Sequence, residues 1–400
     1  MLNFEITETS ESYYRCGKII TEHGIIKTPT YMPVGTFGPV KSLDVSELSE
    51  IKSQIVLGNS FHLHSNLGAE FIKKMGGLAK FTCWNGPTLT DSGGYQVSYM
   101  WKSGTHSLAT DGKRQYSQDS PIKKITDDGV KIKDIHTGDY YWLTPKKSME
   151  IQAQIGADMV MAFDQPTFDT DNYIDAEKTL NRSHIWTKES FLFWEELQKI
   201  GDAQPWQSFI PIIQGGRFYD LRQRSAQYIL EMETTGIAIA GESIGIDPDI
   251  SAETIDSVRE IIPSKNVLYA MGLGGGPEGF LKAVKYGMDI FDNTSPTRLA
   301  RCGYTLISPD SGGSTKNKFR IPLFRQKYRE DKNPIDIFCN CHVCSTYSRA
   351  YLNYLLKIKD ILGIRLLSYH NVYFMNDLSY KIQYSIANKN FEHFFNHWIN

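Results

Sequence analysis

The order in which apolar runs and amphipathic stretches alternate narrows the fold of this 400-residue chain more than any other feature. Strand-like runs occur at Thr30–Val34, Gln54–Asn59, Pro87–Asp91, Asp158–Asp164, Ser208–Gln214, Ile237–Gly241, Val267–Met271 and Met288–Asp292. Between them lie stretches of helical period: Asp44–Ile51, Gly68–Met75, Ser148–Gly156 with Pro145 near its start, Asp175–Ile200, Tyr219–Glu233, Ala252–Ile262 and Pro277–Tyr286. Eight βα units of this spacing favour a closed parallel barrel, because right-handed crossovers wind every strand the same way and eight strands close on themselves. The expected fold class is therefore α/β, a (β/α)8 TIM barrel with insertions and a C-terminal metal-binding subdomain.

Two long stretches interrupt the alternation, residues 98–147 and 302–370, and both would open from the C-terminal ends of strands, the face on which such barrels carry their sites. In the first, Val130–Leu143 alternates on either side of Thr137-Gly138 and reads as a β-hairpin. The expected organisation is a catalytic barrel over residues 1–301 with a β-hairpin insertion at 98–147, followed by a metal-binding and helical subdomain over 302–400. A content of 41% hydrophobic and 22% charged residues can bury such a core. The net charge of −2 argues against a generally basic, nucleic-acid-coating surface, so any RNA or DNA contact must come from a local patch. Met1–Tyr14 has no apolar core of a leader, and no run of 18 apolar residues occurs; no membrane association is expected, and the expected location is the cytoplasm.

Polar residues stand where the strands stop. Asp292 follows Met288, Ile290 and Phe291, and Asn293-Thr-Ser-Pro turns the chain after it. Alone it would read as a turn cap. Asp91 ends strand three in the same way, with Gly93-Gly94 permitting close backbone approach and Tyr95 offering a flat face. Asn59 closes strand two, where it could orient Asp91, while Asp164 and Gln214 close strands four and five and could read a purine edge. Two carboxylates on one barrel face permit a division between nucleophile and general acid/base. Arg298 and Arg301 add fixed cations beyond Asp292, and Lys316–Arg329, with Lys316, Lys318 and Arg320 in it, interleaves cations with Phe319, Phe324 and Tyr328 in a way that suits phosphates.

Cys16, Cys83 and Cys302 are scattered, whereas Cys339, Cys341 and Cys344 are clustered, a pattern that means metal before disulfide. Zn²⁺ takes four soft or borderline ligands in a tetrahedron, so a fourth is needed. His370 lies beyond a helical stretch long enough to bring it back; His342 is the rival, strained by its place between two cysteines. A closed Cys3His site has no position for water, so the ion would be structural.

Taken together these residues resemble the tRNA-guanine transglycosylases, also called queuine tRNA-ribosyltransferases, and the bacterial members in particular. The resemblance rests on Thr90-Asp-Ser-Gly-Gly-Tyr-Gln-Val97, Gln214-Gly-Gly216, Tyr269-Ala-Met-Gly272, Phe291-Asp-Asn-Thr-Ser-Pro-Thr-Arg298, and Cys339-Asn-Cys-His-Val-Cys344 with Leu366-Leu-Ser-Tyr-His-Asn371. It implies that Asp292 attacks C1′ of guanosine at the anticodon wobble position and that Asp91 moves the protons. A covalent ribosyl-aspartate would form, and a 7-deazaguanine base, 7-aminomethyl-7-deazaguanine foremost, would replace guanine. It also implies that Tyr95 and Met271 sandwich the base, that Asp164, Gln214 and Gly241 read its edges, that Arg298, Arg301 and the basic stretch hold tRNA, that one structural Zn²⁺ is bound, and that the enzyme is a homodimer.

The chain departs from the family after Gly241, where Glu242, Ser243, Ile244, Gly245 and Ile246 replace the usual bacterial Leu-Ala-Val-Gly-Glu, and at Pro166, near where a Cys is common. Glu242 is expected to supply a counter-charge to a cationic aminomethyl group, and Ile244 to exclude the larger base queuine. The extra residues after Met100 are a third departure. A queuine-salvaging enzyme, a paralogue acting on DNA or another RNA position, a silent RNA-docking subunit and a retaining glycoside hydrolase are the competing readings; the presence of both Asp91 and Asp292 opposes the silent subunit.

Overall fold

Two prolines decide how the parallel strands close. Strand one runs as Thr30–Met32 and Val34–Gly35 on either side of Pro33, and strand five as Ser208–Ile210 and Ile212–Ile213 on either side of Pro211. In the computed structural model, which describes all residues except 1, 104, 109–113, 118–119, 135–136, 169, 242–246 and 400, each half pairs with a different neighbour. Thr30–Met32 pairs with strand eight (Ile290–Asp292) and Val34–Gly35 with strand two (Val56–Asn59). Ser208–Ile210 pairs with strand four (Met159–Met161) and Ile212–Ile213 with strand six (Gly236–Ile239). Strand three (Thr88–Asp91) and strand seven (Val267–Ala270) complete two five-stranded parallel sheets that share the two split strands, so the ladder returns to its start as a barrel. Proline cannot donate, but the Pro33 and Pro211 carbonyls still accept from Leu57 at 3.1 Å and Ala238 at 2.9 Å.

The helices begin where local chemistry starts them. Helix α1 (Val45–Glu50) carries a capping box in which Asp44 accepts from the Glu47 N–H and Glu47 reaches back to the Asp44 N–H. Asn59, the last residue of strand two, caps α2 (Ser60–Leu67) by accepting from the His62 N–H. Helix α3 (Pro145–Ile155) starts at Pro145 rather than at Ser148, because proline suits the first helical position and Thr144 supplies the cap. Helices α4 (Tyr173–Ile200) and α5 (Tyr219–Leu230) follow strands four and five. Strand eight leads into the short α6 (Ser295–Arg301), and the 27-residue α7 (Ile361–Ala387) returns to the barrel, where Ser379 Oγ accepts from the Tyr31 N–H of strand one at 3.0 Å.

An N-terminal antiparallel sheet, Asn3–Thr9, Arg15–Thr21 and Gly24–Thr28, was not among the sequence expectations. Its Leu2, Ile19 and Ile26 share one buried cluster with Met32, Leu57, Leu89, Ala238 and Ile290 of the barrel, so it closes the end at which the strands begin. The hairpin expected in Val130–Leu143 forms from Gly129–Lys133 and Tyr140–Leu143, and Ile122–Thr126 joins it as a third strand. Its Ile122, Val130, Ile132 and Leu143 are buried with Ile151 and Ile155 of α3 and Trp186 of α4. Beyond residue 302, Leu306, Phe319, Val343 and Leu352 belong to the same buried cluster as Ile255, Phe280 and Phe291 around the barrel.

Candidate active site

The strand ends converge on a cleft of about 400 Å³ at the C-terminal end of the barrel. Asn59, Asp91, Tyr95, Asp164, Gln214, Gly241, Met271, Asp292 and Arg298 all line it. Asp91 accepts from Asn59 Nδ2 at 2.7 Å and from the Gly93 N–H at 3.0 Å. Asp292 accepts twice through the same oxygen, Oδ1: from the Tyr269 hydroxyl at 2.7 Å and the Gly272 N–H at 2.6 Å. Asp164 Oδ2 accepts from Gln214 Nε2 at 2.6 Å, and the Gln214 Oε1 is buried without a partner among the described residues. A buried acceptor facing a cleft has hydrogen-bonding capacity to offer a ligand.

Burial sets the acidity of these carboxyls. Desolvation pushes Asp91 up to about 7, reinforced by the charges of Asp292 and Asp164 and opposed by the Gly93 and Asn59 donors. Desolvation raises Asp164 to about 6 against the Gln214 donor, and raises Asp292 against the donors at Gly272 and Tyr269. The Tyr269 phenol, buried beside Asp292, is held well above its ordinary value and stays a donor. Asp91 can thus give or take a proton near neutrality, which suits a general acid/base.

Backbone geometry also shapes the cleft. Gly94 sits so close to the segment after strand four that a Cβ there would lie 2.1 Å from the Asp164 carbonyl oxygen and 2.7 Å from its Oδ1, so only glycine fits. Tyr95, 51% exposed, stacks on Tyr99 at 5.7 Å with 15° between the rings, presenting a broad aromatic surface at the mouth. Pro166 lines the wall. Glu242, Ser243, Ile244, Gly245 and Ile246 lie outside the described residues. Tyr269 and Gly272 were given no separate role from sequence; a phenol inside an otherwise apolar strand that ends beside Asp292 was the available signal.

The basic residues divide. Arg298, exposed on α6, lines the cleft and donates to Ser295 Oγ at 3.4 Å. Arg301, Lys316, Lys318 and Arg320 are not among the residues that line it. The stretch Lys316–Arg329 does not offer its aromatics as expected. Phe319 is fully buried against Trp398, ring centroids 5.4 Å apart, and Tyr328 is buried too, leaving Phe324 exposed. Both rings complete the core that joins this segment to the barrel, and Arg320 lies over the Tyr304 ring at 5.2 Å.

Cys339, Cys341, Cys344 and His370 come together with all their ligand atoms within 4.8 Å of one another. His370 Nδ1 lies 3.8, 3.4 and 3.3 Å from the three sulfurs, close to the roughly 3.6 Å edge of a tetrahedron with ordinary Zn–S and Zn–N lengths. The Nε2–H of His370 donates to the Leu306 carbonyl at 2.8 Å, which fixes the tautomer with the Nδ1 lone pair toward the thiols. His342 is exposed, its ring near Tyr347 and Tyr369. These four side chains could hold a metal ion, with no position left open for water.

An eight-stranded parallel barrel with clustered carboxyls at its C-terminal end and a Cys3His cluster whose helix α7 packs on α6 defines the class as a TIM-barrel enzyme with an added segment that could hold a metal. Residues 10–400 match the model of the family described as queuine tRNA-ribosyltransferase. The queuine tRNA-ribosyltransferase of Thermosipho africanus is 38% identical over 391 residues, 98% of this chain and 96% of that protein. Those of Roseiflexus sp. and Psychrobacter sp. are 37% and 36% identical, over 96% and 97% of this chain and 96% and 94% of theirs. The chain belongs to the queuine tRNA-ribosyltransferase family, a family of transferases. No helix among the described residues is long and apolar enough to cross a membrane.

Proposed function

We propose that this protein is a tRNA-guanine transglycosylase that exchanges guanine at the wobble position of tRNA for 7-aminomethyl-7-deazaguanine by double displacement. The observation that carries the reading is the pairing, on one cleft, of Asp91 at about 7 with Asp292 held by two donors. Both donors converge on Oδ1 of Asp292, which leaves Oδ2 as the oxygen to attack C1′. Asp91 protonates the departing guanine, and a ribosyl-aspartate ester remains. Asp91 then takes a proton from the incoming base, whose nitrogen displaces the aspartate, and the anomeric configuration is retained. Asp164 accepts from the base N1 and exocyclic amine, Gln214 and the Gly241 backbone read its carbonyl side, and Tyr95 and Met271 cover its faces. Arg298, at the mouth, is best placed to meet phosphate; Arg301, Lys316, Lys318 and Arg320 extend that contact along the RNA.

The Cys3His cluster fits Zn²⁺, held by Cys339, Cys341, Cys344 and His370 in a structural role, and a homodimer is the expected assembly, checked by sedimentation. Incubation with tRNA and labelled guanine tests the activity: a covalent protein–RNA adduct should accumulate with native protein and be absent with Asp292→Asn. Competition between 7-aminomethyl-7-deazaguanine and queuine tests the incoming base. Glu242→Gln should raise KM for the cationic base and spare guanine, and equal effects on both would dispose of the counter-charge. Exchange into duplex DNA but not tRNA would overturn the substrate assignment.

A further inference from the structure

The barrel wall is open between strands three and four, at the place where the cleft needs it open. The ladder between them ends at Val160 opposite Thr90, although strand three continues to pair with strand two through Asp91 and strand four with strand five through Met161. The backbone groups of Met161 that would have met strand three are taken by one side chain. Gln152, fully buried on α3, accepts from the Met161 N–H at 2.9 Å and donates to the Met161 carbonyl at 2.9 Å. It also accepts from Thr90 Oγ1 at 3.1 Å and donates to Ser148 Oγ at 3.2 Å, so all four positions of its carboxamide are filled. Ser148, one turn earlier on α3, donates to the Ser92 carbonyl at 3.0 Å. Both neighbours of Asp91 in sequence are thereby tied to α3. Beyond the end of strand four the substitution of side chains for strand continues: Ser190 Oγ accepts from the Phe163 N–H at 3.3 Å, and Ser183 Oγ accepts from the Gln165 N–H at 3.0 Å.

We propose that Gln152 is a positioning residue, a carboxamide spacer that replaces a rung of the ladder and sets the distance between Asp91 at the end of strand three and Asp164 just beyond strand four, across which the purine lies. This rests on the proposed function for the identity of the ligand but not for the spacing. Without the spacer the backbone of Met161 would have to pair with strand three or stay unsatisfied, and either choice moves Asp164 relative to Asp91. An error of that size should be felt by the base and hardly by the RNA outside the cleft.

The test is Gln152→Met, similar in length but without the amide, with Thr90→Val as a milder variant that loses only the hydroxyl donor. Guanine KM should rise at least about tenfold in the first and less in the second, with tRNA KM unchanged. A crystal structure of Gln152→Met should show strands three and four closer at Met161. Guanine KM unchanged with only the apparent kcat lowered in proportion to lost folded protein, or guanine and tRNA KM rising by the same factor, would overturn the spacer. If native protein exchanges no guanine at all, the proposed function falls instead, and the gap in the Gln152→Met structure decides the spacer alone: a narrowed gap supports it and an unaltered one refutes it.

Discussion

The same burial that tunes Asp91 for proton transfer also costs stability, and the two can be separated by pH. Its carboxyl titrates at about 7 in the folded chain against 3.8 ordinarily, so between these values the folded state binds more protons than the unfolded one. Stability from this group therefore declines as pH rises from about 4 to about 7 and is level above. Asp91→Asn, which cannot ionise, should gain in melting temperature over the native protein through that window and hold a constant advantage beyond it. A difference that does not vary with pH would mean that Asp91 titrates ordinarily. At Asp292 the expected change is opposite in origin. Tyr269→Phe removes one of two donors to the carboxylate, so the Asp292 carboxyl rises further and the acid limb of the rate profile moves to higher pH. The same Tyr269 hydroxyl would stabilise the carboxylate as its charge returns on leaving C1′ in the second displacement, so kcat should fall about ten- to a hundredfold. A rate profile superimposable on the native one would remove Tyr269 from the site.

Elements make the strand ends useful only if something holds α6 in place, and the metal cluster is linked to that task. Beside His370 on α7, Asn371 donates to the carbonyls of Pro296 and Tyr304 at 3.0 and 3.2 Å and accepts from the Leu306 N–H at 2.8 Å. One turn of helix thus grips both the metal loop and the start of α6, which carries Arg298. Cys344→Ser, or removal of the ion by a chelator, should lower the melting temperature and raise tRNA KM more than guanine KM. Unchanged tRNA affinity in metal-free but folded protein would uncouple the two. Such links explain what sequence could and could not give. Barrel strands ending in Asn59, Asp91 and Asp292 were legible because an apolar run followed by a polar residue is a local signal; strands four and five stop earlier than expected, at Met161 and Ile213, and Asp164 and Gln214 stand just beyond them. Cys339, Cys341, Cys344 and His370 were legible because metal chemistry restricts spacing. The fate of Phe319 and Tyr328 was not legible, since whether an aromatic between cations stacks on a ligand or anchors a core depends on distant partners such as Trp398. Nor was the role of Gln152, whose meaning lies in a missing rung of the sheet.

At the scale of the whole molecule, the barrel depends on an end cap that sequence did not reveal, because its first strand is exposed or half-buried throughout and its apolar residues are few, with Glu5, Lys18 and Lys27 aligned in one row across the three strands. One ion pair fastens that cap from beneath. Arg15, buried on the second strand of the N-terminal sheet, meets Asp289 just before strand eight through two bonds of 3.0 and 2.6 Å and donates to the Asn266 carbonyl at 2.7 Å. Asp289 also accepts from the Leu268 N–H at 2.8 Å, joining strands seven and eight to the cap. Burial already holds the Asp289 carboxyl above its ordinary value even with Arg15 beside it. Arg15→Met would leave that carboxyl buried without its cation, a loss of about 3–5 kcal/mol by analogy with other broken buried pairs. The carboxyl would then rise further, so the folded variant would take up a proton that the unfolded chain releases, and its deficit should deepen as pH increases from the acid range. Asp289→Asn in the same background removes the buried charge and should recover much of the loss at neutral pH. Denaturant melts of the three proteins at acid and neutral pH decide the matter: a deficit in Arg15→Met that is independent of pH and unrelieved by Asp289→Asn would assign the loss to packing of the arginine stem instead.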